Sequence, residues 1–446
     1  MNAPGKQKAA NAGGPRRRNP LERLRNSGIG RFLGRIGRGE KATEGEGLLD
    51  LADALLSLRG GASGPALASA FFDLYEDSDT AARRNFLTKV YEQHPRDAAA
   101  IDAAILRWQE ARDDAAASAL NAAAQSPTHK LIRMLNLAPR GTTRLIGMRQ
   151  DLLEMPEKTP GVKAFDRDLE RSFAAWFNAG FLELRRIRWD SPARLLERLI
   201  GYEAVHEIKG WEDMRRRVEP VDRRCYGFFH PQMADDPLIF VEVALTPSLP
   251  RAIHDIIAEE RETISPADAS CAIFYSISNC QEGLRGIPFG NYLIKRVVGL
   301  LKEELPHLQT FATLSPVPGF AKWMAGDGGY AGAVPMGEEL RELAAHYLVS
   351  AKHRTGLPRD PVARFHLGNG ARLEAIHADA DLSANGQKQA HGVMVNYVYD
   401  LDEIEANHFA LNEMGTVAMS KDVEALAGLG AARVVTASAQ DGEIAA

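Results

Sequence analysis

The spacing of hydrophobic residues changes near residue 180. Between about 47 and 180, apolar side chains recur every three or four positions in a succession of segments that are rich in Ala. In "DAAAIDAAILRWQEARDDAAASAL", Asp97 is suited to cap a helix start, and Ile101, Ile105 and Trp108 fall on one helical face. The segments follow no fixed repeat length. This pattern predicts an all-α helical bundle rather than a solenoid.

After residue 180, short β-rich runs alternate with helical ones. The runs "PLIFVEVAL" and "CAIFYSIS" are dominated by β-branched and aromatic residues and are bounded by Pro, Asp or Asn. "LQTFATLS", "RFHLGNGARLEAIHA" and "HGVMVNYVYDL" also have the character of strands, whereas "SLPRAIHDIIAEERE" and "NYLIKRVVGLLKEEL" have helical periodicity. The order predicts an α+β protein, in which an N-terminal all-α helical bundle precedes a mixed α/β sheet domain.

These changes in pattern predict four segments. We expect a basic, disordered arm over 1–46, a helical domain over 47–180, a sheet domain over 181–430 and a flexible tail over 431–446. Residues 1–41 contain eleven Lys and Arg against two Glu. A disordered basic tail is the simplest interpretation of this arm, and a basic amphipathic arm or an Arg-rich transit peptide is the alternative.

Composition excludes several classes of protein. The net charge of -5 provides no reason to expect a nucleic-acid partner. Cys225, Cys271 and Cys280 are too few and too scattered for a disulfide framework or a zinc site. No stretch approaches the ~20 uninterrupted apolar residues of a membrane-spanning helix. We therefore expect a protein with no metal and no membrane span.

A glycine-rich junction, "SISNCQEGLRGIPFGNYLIKRVV", is the first candidate for chemistry. Gly283, Gly286 and Gly290 follow a predicted strand, and a helix is predicted to begin near Asn291. Glycines allow a close approach of the backbone to a ligand, and a helix start offers unpaired N–H groups, so the junction is suited to a pyrophosphate. The spacing matches neither the Rossmann nor the P-loop pattern. Glycines that serve only the geometry of the turn are the alternative.

Two further positions carry candidate polar side chains. Ser315 in "FATLSPVPGF" follows a predicted strand and precedes Pro316 and Pro318, which restrict the backbone. It does not match a nucleophile elbow, and a serine that caps a turn is the alternative. His366 lies in the strand-like run before the Asn369–Gly370 pair, where a packed core histidine is the alternative.

Several stretches taken together resemble the malonyl-CoA decarboxylase family. They are "RRCYGFFHP", "PLIFVEVALT", "AIFYSIS", "GLRGIPFGNYLIKRVV", "FATLSPVPGF", "KHRTGLPRDPVARFHLGNGA" and "VMVNYVYDL". The resemblance covers about residues 185 to 415 and extends more loosely into the helical part. It implies a helical domain used in oligomerisation and a C-terminal, acetyltransferase-like domain that binds acyl-CoA.

The resemblance also implies roles for individual residues. It assigns Ser315 and His366 to catalysis, and Ser276 and Tyr399 match further active-site positions. In animal members a glutamate stands where this chain has Pro288. The turn implied to hold CoA comprises Arg285, Gly286, Ile287, Pro288, Phe289, Gly290 and Asn291.

The resemblance implies decarboxylation of malonyl-CoA to acetyl-CoA and CO2 through a thioester enolate. Ser315 and His366 would position the carboxylate and deliver the proton, and no cofactor is needed because the thioester accepts the electron pair. An acyl-CoA-dependent acyltransferase and a non-catalytic malonyl-CoA sensor are the alternatives. We expect a homodimer or homotetramer in the cytoplasm, with mitochondrial targeting by the arm as the alternative.

Overall fold

The computed structural model describes residues 44–58, 63–287, 293–326 and 334–444, which divide into two compact units. The first unit contains the described residues up to Ala175 together with Gly283–Gly286. The second contains Trp176–Glu282 and the described residues from Ile287 onward. The predicted order, a helical region followed by a mixed sheet domain, is confirmed.

The first unit is built from helices. They are α1 (Glu44–Ser57), α2 (Gly64–Asp77), α3 (Thr80–Gln93), α4 (Ala98–Ala111), α5 (Asp114–Ala124), α6 (Pro127–Leu135), α7 (Gly141–Leu153) and α8 (Pro160–Trp176). Asp97 caps α4 as expected, because its side chain accepts a hydrogen bond from the Ala100 N–H. The predicted apolar face of α4 is only partly covered, since Ile101 and Trp108 are half-buried and Ile105 is 37% exposed.

An aromatic cluster forms part of the core of this unit. Phe71, Phe72, Tyr75 and Phe86 are all buried. The Phe71 ring centroid lies 5.1 Å from that of Phe86 and 5.7 Å from that of Phe72, both in edge-on geometry. Edge-on aromatic pairs add to the stability that burial provides, and the cluster joins α2 to α3.

The second unit contains one eight-stranded sheet. The strands are β1 (Glu183–Ile187), β2 (Arg223–Phe229), β3 (Ile239–Thr246), β4 (Cys271–Asn279), β5 (Thr310–Thr313), β6 (Ser315–Pro316), β7 (Arg372–His377) and β8 (Met394–Val398). Their order is β1-β2-β3-β4-β5-β8-β6, and β7 also pairs with β8. Among the described strand pairs, β4 and β5 are parallel and the others are antiparallel.

The parallel pair is short. Its register runs from Cys271 opposite Thr310 to Phe274 opposite Thr313, and the Leu314 N–H donates to the Phe274 carbonyl. β4 continues to Asn279 beyond the last residue that pairs with β5. The sheet therefore has a point at which two neighbouring strands cease to pair.

The helices of the second unit lie between its strands in sequence, except that the last two follow β8. They are α9 (Ala193–Tyr202), α10 (Trp211–Val218), α11 (His254–Ile257), α12 (Leu293–Glu304), α13 (Phe320–Ala325), α14 (Gly337–Ser350), α15 (Pro361–Gly368), α16 (Ala384–Ala390), α17 (Ile404–Met414) and α18 (Lys421–Ile444). The helix predicted for "SLPRAIHDIIAEERE" is reduced to α11, which has four residues. Ile253 and Ile256 pack there against Ile273 and Leu314 of the sheet.

The two ends of the described chain are helical. α1 begins at Glu44, and the preceding residues of the predicted arm lie outside the described residues. α18 runs to Ile444 and so includes most of the segment that we predicted as a flexible tail. No described helix is long and apolar enough to cross a membrane.

Candidate active site

His366 lies on a helix, so the prediction of a strand at this position was wrong. α15 spans Pro361–Gly368, and the Asp360 carboxylate caps it by accepting hydrogen bonds from the N–H groups of Val362 and Ala363 at 2.9 and 3.0 Å. A capping Asp followed by Pro at the first helical position is a strong helix-start signal. It outweighs the strand-like composition of a run this short.

Ser315 follows β5, as expected, and is the first residue of β6. β6 pairs Ser315 with Val395 of β8, and the Ser315 side chain is 5% exposed. Its hydroxyl donates a hydrogen bond to Thr313 Oγ1 at 2.8 Å. Thr313 is the last residue of β5, so the two hydroxyls lie where β5 ceases to pair with β4.

A chain of hydrogen bonds connects three of the predicted site residues. Ser315 Oγ lies 3.1 Å from His366 Nε2, and His366 Nδ1 lies 2.8 Å from the Tyr399 hydroxyl. Because the Ser315 hydrogen is directed to Thr313, His366 Nε2 carries the proton and donates it toward Ser315. Nδ1 then accepts from Tyr399. All three side chains are buried.

Burial also determines the charge state of this chain. Desolvation lowers the pKa of His366 to about 3, so the imidazole is neutral at physiological pH. Burial likewise raises the pKa of Tyr399 well above its ordinary value, so the phenol keeps its proton and acts as a donor. The site is therefore a neutral relay of hydrogen bonds.

Two residues outside our predictions hold the relay in place. Besides capping α15, the Asp360 carboxylate accepts a hydrogen bond from the Gly319 N–H at 3.1 Å. It thereby connects the turn after Ser315 to the helix that carries His366. On the other side, the Tyr397 ring stacks on the His366 imidazole with centroids 4.7 Å apart. These contacts restrict the orientation of the imidazole.

Ser276 has a different set of partners. Its hydroxyl lies 2.8 Å from each carboxylate oxygen of Glu203, and the Ser278 hydroxyl lies 3.1 Å from one of them. The same carboxylate accepts from the N–H groups of Val205 and His206 at 2.9 and 2.7 Å. Ser276 lies beyond the last β4 residue that pairs with β5, and its hydroxyl contacts Glu203 and Ser278 rather than the relay.

The glycine-rich turn is described only in part. Arg285 and Gly286 belong to the first unit, and Gly286 has a φ of +87°, a conformation that favours glycine. Ile287 belongs to the second unit and is buried. The remaining predicted residues of this turn, Pro288, Phe289, Gly290 and Asn291, lie outside the described residues.

Comparison with known proteins identifies the family of the chain. Residues 180–336 and 331–438 match the malonyl-CoA decarboxylase C-terminal domain, and residues 95–177 match its N-terminal domain. The chain belongs to the malonyl-CoA decarboxylase family. The resemblance inferred from the sequence is confirmed.

Curated and solved relatives support the same assignment. The chain is 37% identical over 317 residues to "Malonyl-CoA decarboxylase, mitochondrial" of Rattus norvegicus, an alignment that covers 60% of this chain and 64% of the rat protein. It thus spans less than two thirds of that relative. Crystal structures of malonyl-CoA decarboxylase from Rhodopseudomonas palustris and Agrobacterium vitis are 45% and 46% identical, with TM-scores of 0.80 and 0.81. They cover 86% and 85% of this chain, and each match covers 99% of the solved chain.

Sequence reasoning missed several residues of the site. Asp360 and Pro361 form a helix-start signal that could have placed His366 on a helix. Thr313 lies two positions before Ser315, and Tyr397 lies two positions before Tyr399, so each pair is expected on one face of an extended chain. No local signal marks Thr313 or Tyr397 as a partner of the site. Glu203 lies 73 residues before Ser276, and no pattern in the chain connects the two.

Proposed function

We propose that this protein catalyses the decarboxylation of malonyl-CoA to acetyl-CoA and CO2. The observation that carries the proposal is the contact between Ser315 Oγ and His366 Nε2, which joins the two residues that the family resemblance implicates. Membership of the malonyl-CoA decarboxylase family supports the substrate and the reaction. The alternative functions, acyl transfer and acyl-CoA sensing, gain no support from the hydrogen-bond pattern.

The reaction requires that one carbon–carbon bond break and one carbon–hydrogen bond form. The electron pair of the breaking bond moves into the thioester carbonyl, and CO2 leaves an enolate. The enolate carbon then accepts one proton and becomes the methyl group of acetyl-CoA. The site must therefore orient the carboxylate, stabilise the enolate oxygen and supply the proton.

The neutral relay has the donors for these tasks. In the free protein the His366 N–H donates to Ser315 and the Ser315 hydroxyl donates to Thr313. We propose that both turn to the substrate when it binds, where the donors of an oxyanion hole contribute ~3 kcal/mol each to transition-state stabilisation. The arrival of an anionic malonyl group beside His366 favours the imidazolium and raises its pKa in the complex. His366 takes up a proton from solvent to form the imidazolium, whose Nδ1–H donates to the Tyr399 oxygen. It then delivers one proton to the enolate carbon and returns to the neutral form.

The position of the relay fits a thioester. Ser315 and Ser276 both lie beyond the last pairing of β4 with β5, where the backbone of two neighbouring strands is no longer joined. We propose that the thioester lies at this divergence and that the turn from Arg285 to Asn291 holds the CoA phosphates. Ser276 contributes to binding of the substrate through its position on β4.

Assembly and location are part of the same proposal. We propose a homodimer or homotetramer, formed through the helical unit, in the cytoplasm. Mitochondrial import is the alternative, because the curated relatives carry the word "mitochondrial" in their names.

The proposal is tested by mixing the purified protein with malonyl-CoA alone and quantifying acetyl-CoA and CO2. We expect both products in equal amounts without added metal or acceptor. Binding without product would show a sensor. Release of free CoA that depends on an added amine or alcohol would show an acyltransferase.

A further inference from the structure

A buried arginine in the helical unit contacts the glycine-rich turn. The Arg149 side chain on α7 is 1% exposed. One of its terminal nitrogens donates to the carbonyl oxygens of Gly283 and Arg285, both at 2.9 Å. Its other nitrogens donate to the carboxylates of Asp166 and Glu170 at 2.8 Å each. A single guanidinium thus holds two carbonyls of the turn and two side chains of α8.

Two glycines in the turn allow this contact with Arg149. A Cβ atom at Gly283 would lie 2.1 Å from the Ile146 carbonyl oxygen, so any larger residue would separate the turn from α7. Gly286 has a φ of +87°, and a Cβ there would meet nothing closer than Glu170 Oε1 at 4.0 Å. Gly283 is therefore required for close approach, and Gly286 is required for its backbone conformation.

The contact determines where the turn can bind a ligand. In a planar trans peptide the C=O and the following N–H point in opposite directions. Because the Arg285 carbonyl is directed to Arg149, the Gly286 N–H is directed away from the guanidinium. Backbone N–H groups in turns with a positive-φ residue form concavities that bind anions.

We propose that Arg149 is a positioning residue for CoA binding. Arg149 orients the turn so that the Gly286 N–H faces a phosphate of the CoA moiety of the substrate. This inference rests on the proposed function, in which the turn holds the CoA phosphates. Arg149 itself touches neither the thioester nor the malonyl group. Its effect is confined to the phosphate end of the substrate.

The test compares malonyl-CoA with malonyl-pantetheine, which has the same thioester and no phosphate. In Arg149→Lys the ammonium cannot reproduce the planar fork that spans two carbonyls and two carboxylates. We expect kcat/KM for malonyl-CoA to fall about 10- to 100-fold, mainly through KM, because small misplacements of binding groups have effects of this size. The kcat/KM for malonyl-pantetheine should change by less than about twofold.

Two further variants separate this effect from loss of the fold. Arg144→Lys is the matched control, because Arg144 also lies on α7 but binds two carboxylates of α2, Asp73 and Glu76, instead of the turn. It should leave both substrates unaffected. Gly286→Ala strains the turn without changing Arg149, and it should reproduce the selective loss for malonyl-CoA even if Arg149→Lys does not fold.

These experiments test the role of Arg149 separately from the proposed decarboxylation. Equal losses for the two substrates, or no loss for either, would overturn it. If the wild-type protein released no CO2 from malonyl-CoA, the proposed function would fail. Calorimetric titration with CoA itself would then decide the role of Arg149, since weaker binding by Arg149→Lys and unchanged binding by Arg144→Lys are still required.

Discussion

The sheet unit buries two polar clusters of opposite character. In the relay, Ser315, His366 and Tyr399 are joined by hydrogen bonds, and desolvation alone accounts for the lowered pKa of His366. In the other cluster, the Arg217 guanidinium of α10 lies 3.0 Å from the Glu242 carboxylate of β3, which is fully buried. One cluster carries no formal charge, and the other pairs an arginine with a carboxyl group whose pKa burial raises to about 8.

The difference shows that burial of polar groups does not by itself identify an active site. A buried ion pair mainly offsets the cost of removing two charged groups from water, and breaking it by removing one partner is strongly destabilising. A neutral histidine between two hydroxyl groups can instead exchange hydrogen bonds at little cost. The relay also lies at the divergence of β4 and β5, where we propose that the thioester binds.

The largest effect should come from removing the relay. Ser315→Ala and His366→Asn each remove a buried donor, and we expect turnover with malonyl-CoA to fall by about 10²- to 10⁴-fold. Far-UV circular dichroism and urea unfolding should report a folded protein in both variants. The measurement is the initial rate of acetyl-CoA formation.

Matched controls sharpen this prediction. Ser172→Ala removes a buried serine of α8, and His346→Gln removes a half-buried histidine of α14. Both should retain turnover within about twofold of the wild type, because Ser172 donates to the Asp168 carbonyl of its own helix and His346 packs against Trp323 rather than a relay residue. Turnover near wild type in both relay variants would refute the assignment of the relay to catalysis.

The next effect concerns stability. Burial raises the pKa of Glu242 to about 8, although the charge of Arg217 opposes the shift. At a pH of about 9, Arg217→Met would leave a buried carboxylate without its cation, and we expect the free energy of unfolding to fall by about 3 to 5 kcal/mol. The double variant Arg217→Met/Glu242→Leu should recover most of this loss. A double variant as unstable as the single one would contradict this account of the cluster.

The smallest effect is a pH dependence with opposite signs in the two clusters. The pKa of His366 is about 3 in the folded protein and ~6.5 in the unfolded chain, so the unfolded state binds more protons between these values. His366 therefore costs stability as pH falls through this window. Between pH 7 and 5 the wild type should lose about 2 kcal/mol relative to His366→Gln.

Glu242 should act in the other direction. Its folded pKa is raised above that of the unfolded chain, so the folded state holds the proton longer and stability decreases as pH rises toward 8. Glu242→Gln should gain stability relative to the wild type over that range. Urea unfolding of the three proteins at several pH values measures both slopes, and slopes of the same sign would show that the two clusters are not electrostatically distinct.

Much of the fold was predictable from local pattern. The periodicity of the first half of the chain predicted helices, and the β-rich runs containing Val241 and Phe274 became β3 and β4. Local pattern failed at α15 because its apolar and polar residues are compatible with both periods over eight positions. In such a short element the capping residue decides whether a helix or a strand forms. Here Asp360 accepts hydrogen bonds from the Gly319 N–H and from the start of the helix.

The sequence by itself determined the type of most elements, the order of the two regions and the identity of the candidate residues, because these follow from periodicity, turn residues and family motifs. Only the tertiary structure brought His366 to Ser315, 51 positions away, and to Tyr399, 33 positions away. It also decided that His366 is neutral. Desolvation depends on atoms that distant segments pack around the ring, and no local pattern of residues specifies that packing.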